Sequence, residues 1–192
     1  MGVRAMRRND REMDRAFGEA VIDKARYGIV SINDQGLPYS VPLSLARDGG
    51  AFYFHSAREG HKVDLLTDGA RVRVVFVGDV QVPDLYTEEE LGEMVRDPEK
   101  TSRLIRSVFT TEYESAIVEG RVSEVTALEE KRLALELICR KYTPEKMTYF
   151  GPAADIGVPY TKIFRIDIES ITAKRKQYDE NGVERKTQTI NS

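Results

Sequence analysis

Apolar residues recur along this chain with two different periods, and the period changes where glycine, proline or asparagine intervenes. Met13, Ala16, Phe17, Ala20 and Val21 recur at spacings of three, one, three and one, which is one face of a helix. Asn9 or Asp10, just ahead of them, is the expected cap. The period then falls to two. Tyr27 to Ile32 reads as a strand ended by Asn33-Asp34-Gln35-Gly36. Pro38 to about Ala46 reads as a second, with Val41, Leu43 and Leu45 on one face and the turn Asp48-Gly49-Gly50 after it, and Ala51 to His55 reads as a third. Lys62 to Thr67 predicts a short helix, and Arg71 to Val77, dense in valine, a fourth strand.

Asp79 to Glu112 breaks this pattern. Thr87-Glu88-Glu89-Glu90 matches a capping box, and two short helical segments are expected near Thr87–Arg96 and Thr101–Val108. A lid over a site and a solvated, charge-rich insertion both fit this stretch. Ala116 to Val125 is a fifth strand. Thr126-Ala127-Leu128-Glu129, a second capping-box match, opens a helix to about Tyr142 with Leu128, Leu135, Ile138 and Tyr142 on one face. Thr143-Pro144 ends it, and Pro152, Gly157 and Pro159 mark a loop. Thr161 to Ile168 alternates as a sixth strand and can continue through Ile171. No strand–helix–strand alternation is present, so the expectation is an α+β, mainly β fold. Its centre is a small six-stranded antiparallel barrel with flanking helices. It forms one domain over 1–192 with a helical insertion at about 79–112.

Composition narrows the function more than the fold. With 41% hydrophobic and 32% charged residues the chain is an ordinary globular one. Lys and Arg number 29 against 32 Asp and Glu, a net charge of −3, so nothing points to nucleic acid. Lys174-Arg175-Lys176 reads as a solvated strand end. Cys139 is the only cysteine, which removes disulfides and cysteine-based zinc sites and leaves it as a small core residue. No run approaches the ~18 apolar residues of a membrane span, and no leader-like apolar stretch opens the chain. The expected location is the cytoplasm.

One stretch carries chemistry: Tyr53-Phe54-His55-Ser56-Ala57-Arg58-Glu59-Gly60-His61-Lys62, which holds both histidines. It runs from a strand end through a glycine loop into a helix start, an arrangement suited to a phosphate. Gly60 allows close backbone approach, Ser56 can donate a hydrogen bond, and Arg58 and Lys62 supply charge. A plain strand–turn–helix with surface histidines also fits. The histidines are six apart with no cysteine near, so a metal pair is not expected. Neither a P-loop nor a serine-hydrolase elbow occurs.

That motif resembles the nitroimidazole-resistance branch of the pyridoxamine-phosphate-oxidase-like flavoproteins. Met6-Arg7-Arg8 resembles the opening of that branch. Gly36-Leu37-Pro38-Tyr39-Ser40-Val41-Pro42-Leu43 resembles its second strand. Ser115-Ala116-Ile117-Val118-Glu119-Gly120-Arg121-Val122 resembles a later strand, and Ile171-Thr172-Ala173-Lys174 its final one. These pieces span nearly the whole chain in order.

The resemblance implies a split β-barrel and a homodimer with two FMN molecules at its interface. It places Ser40, Val41, Pro42 and Leu43 along the flavin ring through backbone atoms, and His55 and Ser56 beside the ribityl chain and phosphate. His61 and Lys62 would hold the phosphate, and Ser115 would be a polar flavin contact. Ser40 stands where pyridoxamine-phosphate oxidases proper carry arginine, and Asn181 to Ser192 lacks their Arg-x-x-Pro region. Another substrate is therefore implied: a flavin-dependent oxidoreductase taking hydride from NAD(P)H and reducing a small acceptor such as a nitroaromatic. No catalytic side chain is required. His55 is the best candidate near the reactive site, and binding phosphate or ribityl is its other reading. A flavin-binding protein without turnover, and a haem-binding barrel using His55 or His61, are the alternatives.

Overall fold

The computed structural model describes residues 6–187. Its elements in chain order are β1 (Glu12–Met13), α1 (Arg15–Lys24), β2 (Gly28–Asp34), β3 (Leu37–Leu43), β4 (Ala46–Asp48), β5 (Ala51–Ser56) and α2 (His61–Leu65). After these come β6 (Arg71–Gln81), α3 (Glu88–Arg96), α4 (Pro98–Arg103), β7 (Glu112–Val125), α5 (Leu128–Tyr142), α6 (Phe150–Gly157) and β8 (Lys162–Lys176). All strands pair antiparallel in one sheet of eight, ordered β3-β2-β6-β7-β8-β5-β4, with β1 pairing β8 beside this path.

The expectation of six strands is corrected to eight. β1 is a two-residue pairing, Glu12 with Lys174 and Met13 with Ala173, too short to leave a period. The expected strand from Pro38 to about Ala46 is two strands, because the chain leaves one end of the sheet after Leu43 and joins the other end at Ala46. The two-residue link Ser44–Leu45 therefore ties the two edges together at one corner, although no pairing among the described residues joins β3 to β4. The end of α5 clamps that link. The Tyr142 hydroxyl donates to the Leu45 carbonyl and accepts from its N–H, both at 3.0 Å. The Lys141 ammonium donates to the Ile22 and Leu45 carbonyls.

The sheet curls because its inner face must bury itself. β2 alternates Gly28, Val30 and Ile32 inward, and the inward residues of β5, β6, β7 and β8 join them in one cluster. Phe52 and Phe76 have ring centroids 5.3 Å apart, yet β5 and β6 are three places apart in the ladder. A flat sheet would hold them roughly 14 Å apart. Gly28 leaves room for this closure, since a Cβ there would lie 2.7 Å from Leu45 and Phe76. Val21, Ile22 and Ala25 on and beside α1 pack against the same cluster. α5 packs on the outside of β5 and β8 through Ala134, against Tyr53 and Ile163.

Several local expectations shift. Asp14, not Asn9 or Asp10, caps α1, accepting from the Phe17 N–H at 2.8 Å. The Thr87–Glu90 capping box forms. Its counterpart at Thr126 does not, since α5 starts at Leu128 after Ala127 with no side-chain cap, and Leu128 is exposed while Ala134 and Ile138 are buried. Cys139 is half-buried rather than core. The second insertion helix is α4 followed by one wider turn, Leu104–Val108.

Candidate functional site

The loop between β5 and α2 is built to leave polar groups free. Gly60 has φ +117°, a backbone conformation open to glycine, and its carbonyl accepts from Val63 and Asp64 as α2 begins. Arg58 is not free to serve there: its Nε donates to the Tyr160 carbonyl at 3.0 Å and its guanidinium lies over the Tyr160 ring. It anchors the loop. Ser56 and Lys62 carry no such engagement. The Ser56 hydroxyl is buried without a hydrogen-bond partner among the described residues, a state that costs roughly 1–3 kcal/mol. Lys62 is half-buried with no carboxylate in ion-pair reach among the described residues, and burial pushes its ammonium below the ordinary lysine value. An unpaired hydroxyl and an unpaired, desolvated cation six residues apart fit an anionic group.

His61, the first residue of α2, is held by the β2–β3 hairpin. Its Nε2 lies 2.9 Å from Asp34 Oδ2, and its ring meets Tyr39 edge to face at 4.9 Å. Neither Asp34 nor Tyr39 was singled out by the sequence, because the pairing spans 27 residues and belongs to no local motif.

The other expected site residues lie elsewhere in a single chain. Ser40 and Pro42 face outward on β3, and the Ser40 hydroxyl bonds Ser31 at 2.8 Å. Val41 and Leu43 point the other way, with Leu43 against the core. An open cleft of about 620 Å³ is lined by Tyr27, Ile29, Ser40, Pro42, Leu43 and Ser44. A second, of about 400 Å³, shares Tyr27 and Ile29 and continues over Val75 and Val77. Ser115 stands on the same outer face, paired with Val77 and Lys174, but β2 and β6 separate it from β3. His55 is exposed and pairs with Ile163, on the face of β5 opposite Ser56. Along the chain Ser56, His61 and Lys62 bound the β5–α2 connection, whereas Ser40–Leu43 lie on β3, Ser115 on β7 and His55 on the face of β5 opposite Ser56.

That outer face is apolar along one row and self-neutralised along others. Pro42, Ile29, Val75 and Ile117 are in register across four strands, with Val77 48% and Ile117 40% exposed. Arg73 pairs with Glu119, and Arg71 and Arg121 converge on Glu169. Lys24 bridges Asp79 and Glu114 where β6 bulges. No cluster of potential metal ligands occurs among the described residues. No helix among them is long and apolar enough to cross a membrane.

Residues 14–88 and 93–175 match the family described as pyridoxamine 5'-phosphate oxidase. Among solved structures, a Bacteroides thetaiotaomicron protein named for 5-nitroimidazole antibiotic resistance is 25% identical. It aligns over 85% of this chain and 86% of its own with a TM-score of 0.62. The flavocytochrome Anf3 of Azotobacter vinelandii is 15% identical, over 90% of this chain and 72% of its own, with a TM-score of 0.67. An FAD- and haem-binding protein of Mycobacterium smegmatis is 17% identical, over 86% of this chain and 73% of its own, with a TM-score of 0.65. The last two show likeness of fold. No curated protein matches.

Proposed function

We propose that this chain, which belongs to the pyridoxamine 5'-phosphate oxidase family, is a cytoplasmic homodimeric FMN-binding oxidoreductase that passes electrons from NAD(P)H to a small acceptor such as a nitroaromatic. The observation that carries the reading is the unpartnered pair at the start of α2. Among the described residues Ser56 Oγ has no hydrogen-bond partner and the Lys62 ammonium no ion-pair partner, and an FMN phosphate would meet both needs with charge-assisted hydrogen bonds. His61 sits beside Lys62 in the same turn.

The ring contact falls to β3. It ends the ladder, so its outer backbone edge is open to a ligand, and Pro38 and Pro42 withhold N–H groups that would invite another strand. When bound, FMN supplies the hydride and electron transfer itself. The chain's own groups bind, orient and shield it. In the ladder β2 and β6 lie between Ser115 on β7 and β3, and His55 is on β5 beyond β8. A second copy packed on the apolar row Pro42, Ile29, Val75 and Ile117 would bring its own residues to the cleft, and would cover Val77 and Tyr27.

The experiment is a visible absorption spectrum of protein reconstituted with FMN, followed by anaerobic reduction with NADPH and reoxidation by a nitroaromatic. Flavin bands with turnover are expected. Flavin bands without turnover leave a binding protein, a Soret band on purification points to haem, and no bound chromophore ends the flavin reading. Light scattering is expected to give a dimer; a monomer that retains FMN would remove the two-chain site.

A further inference from the structure

The insertion between β6 and β7 is held from one side. Its helices α3 and α4 pack on each other and on the turn Leu104–Val108 more than on any strand. Among the described residues, the hydrogen bonds that tie residues 82–111 to the rest of the chain come from the end of β8 and just beyond it. Lys176 donates to the Thr110 hydroxyl, and the Tyr178 hydroxyl donates to the Arg106 carbonyl. The Tyr178 N–H donates to Glu112, the first residue of β7, which also accepts from Gln81 at the end of β6. One buried carboxylate thus gathers both ends of the insertion and the segment that holds it.

That segment is a hairpin with a built turn. Tyr178 bridges Glu184, the Asp179 N–H donates to the Val183 carbonyl at 3.0 Å, and Asp179 Oδ1 accepts from the Asn181 and Val183 N–H groups at 2.9 Å. Gly182, at φ +72°, lies so near the insertion that a Cβ there would run into the Tyr86 hydroxyl. The seam is not filled. A cleft of about 350 Å³ lies along it, lined by Tyr86, Met94, Lys100, Glu180 and Asn181, so packing alone does not hold the two together. The other arm of the hairpin is anchored elsewhere. Glu184 takes the Arg11 fork on both oxygens, with Arg8 3.6 Å away. Lys186 lies 3.3 Å from Asp10, and the Thr187 hydroxyl donates to the Glu12 carbonyl at 2.7 Å. Glu184 makes no hydrogen bond or ion pair to residues 82–111 among the described residues.

We infer that residues 177–185 are a clasp: one arm holds the insertion on the barrel and the other is locked to the N-terminal segment, so that the insertion lifts as a unit when Glu184 loses Arg11. The closed position of the insertion is then set by residues that never touch it. Such an opening breaks only the bonds of the clasp and leaves the barrel ladder intact. It works in the same way whatever ligand the barrel takes.

The test is hydrogen exchange of the whole protein at neutral pH, resolved by peptide, for the wild type, Glu184→Gln, Tyr178→Phe and the double variant. Exchange in β2 and β6 reports on the fold. Glu184→Gln is expected to raise exchange in residues 86–108 about tenfold, the lower end for a charged hydrogen bond, with β2 and β6 unchanged. Tyr178→Phe is expected to loosen the same residues on its own. Added to Tyr178→Phe, Glu184→Gln is expected to do little more there, because both break one connection. The inference is overturned if either single change leaves the insertion as protected as in the wild type, the mark of a hairpin that ends on itself. It is equally overturned if the two changes multiply in full, which makes them independent. Should Glu184→Gln loosen β2 and β6 as well, Arg11→Lys, which keeps the charge and loses the fork, decides by the same outcomes.

Discussion

On the proposed FMN reading, ligand choice turns on Lys62. Its ammonium is desolvated without an ion-pair partner among the described residues, so a phosphate gains a ready charge while a neutral ligand gains nothing. Lys62→Ala is expected to weaken FMN by about tenfold, the lower end for a charged hydrogen bond because the group is partly screened. Riboflavin affinity should not move; equal losses, read by fluorescence titration, would place the lysine away from the phosphate. A different constraint acts at Gly120. It sits at the irregularity in the β7–β8 register, and a Cβ there would run into the Asp167 carbonyl and Ile166. Backbone cannot rotate aside, so Gly120→Ala is expected to cost about 1–3 kcal/mol by urea unfolding. A neutral result would show that the bulge can relax.

At the scale of elements, the insertion between β6 and β7 is fastened and yet bares apolar side chains. Tyr86 Oη lies 3.0 Å from Ser107 Oγ, and Tyr178 donates from its hydroxyl to the Arg106 carbonyl. Met94 is buried, but Ile105 and Phe109 are 73% and 77% exposed. A solvated decoration gains nothing from such exposure, whereas a cover over a pocket does. Replacing Val82–Thr110 by a Gly-Ser linker is expected to leave a folded FMN-binding dimer that accepts bulkier electron acceptors and reoxidises faster in air. Unfolding would make these helices core, and an unchanged acceptor range would make them decoration. The insertion also shows what a sequence can reveal. The Thr87 capping box was legible because it is complete within four residues. The same pattern at Thr126 misled because β7 runs through Val125 and sets where the next helix begins. β1 and the Asp34–His61 pair were not legible, since each depends on a partner far along the chain. The motif from His55 to Lys62 could be read as a unit, but not that Arg58 would be spent on Tyr160, or that His55 and Ser56 would face opposite ways.

Over the whole molecule, the segment after β8 returns to the start of the chain. Arg11 bonds Glu184, Lys186 lies 3.3 Å from Asp10, and the Thr187 N–H donates to the Asp10 carbonyl. The Arg11 guanidinium holds the Glu184 carboxyl below its ordinary value of 4.5, and Arg8 lowers Asp10. Because the folded values lie below the unfolded ones, this fastening is fully present above about pH 4.5 and is lost as pH falls through the lowered values. Hydrogen-exchange protection of residues 177–187, taken relative to the unfolded chain at the same pH, is expected to fall as pH drops below about 4, and Glu184→Gln to bring the same loss at neutral pH. A segment that stays protected in acid would be held by its backbone bonds instead. The ladder order has a further consequence, for the time during which the chain is made. β8 lies between β7 and β5, so until Lys162 and its successors leave the ribosome the sheet exists as two unjoined parts. Each presents a raw edge, β7 on one and β5 on the other. At about 5–20 residues per second, the interval from Ser56 to Lys162 lasts on the order of 5–20 s. A nascent chain of this protein is thus open to strand-to-strand association with its neighbours from the completion of β5 until β8 emerges, and that strand ends the hazard by filling both edges at once.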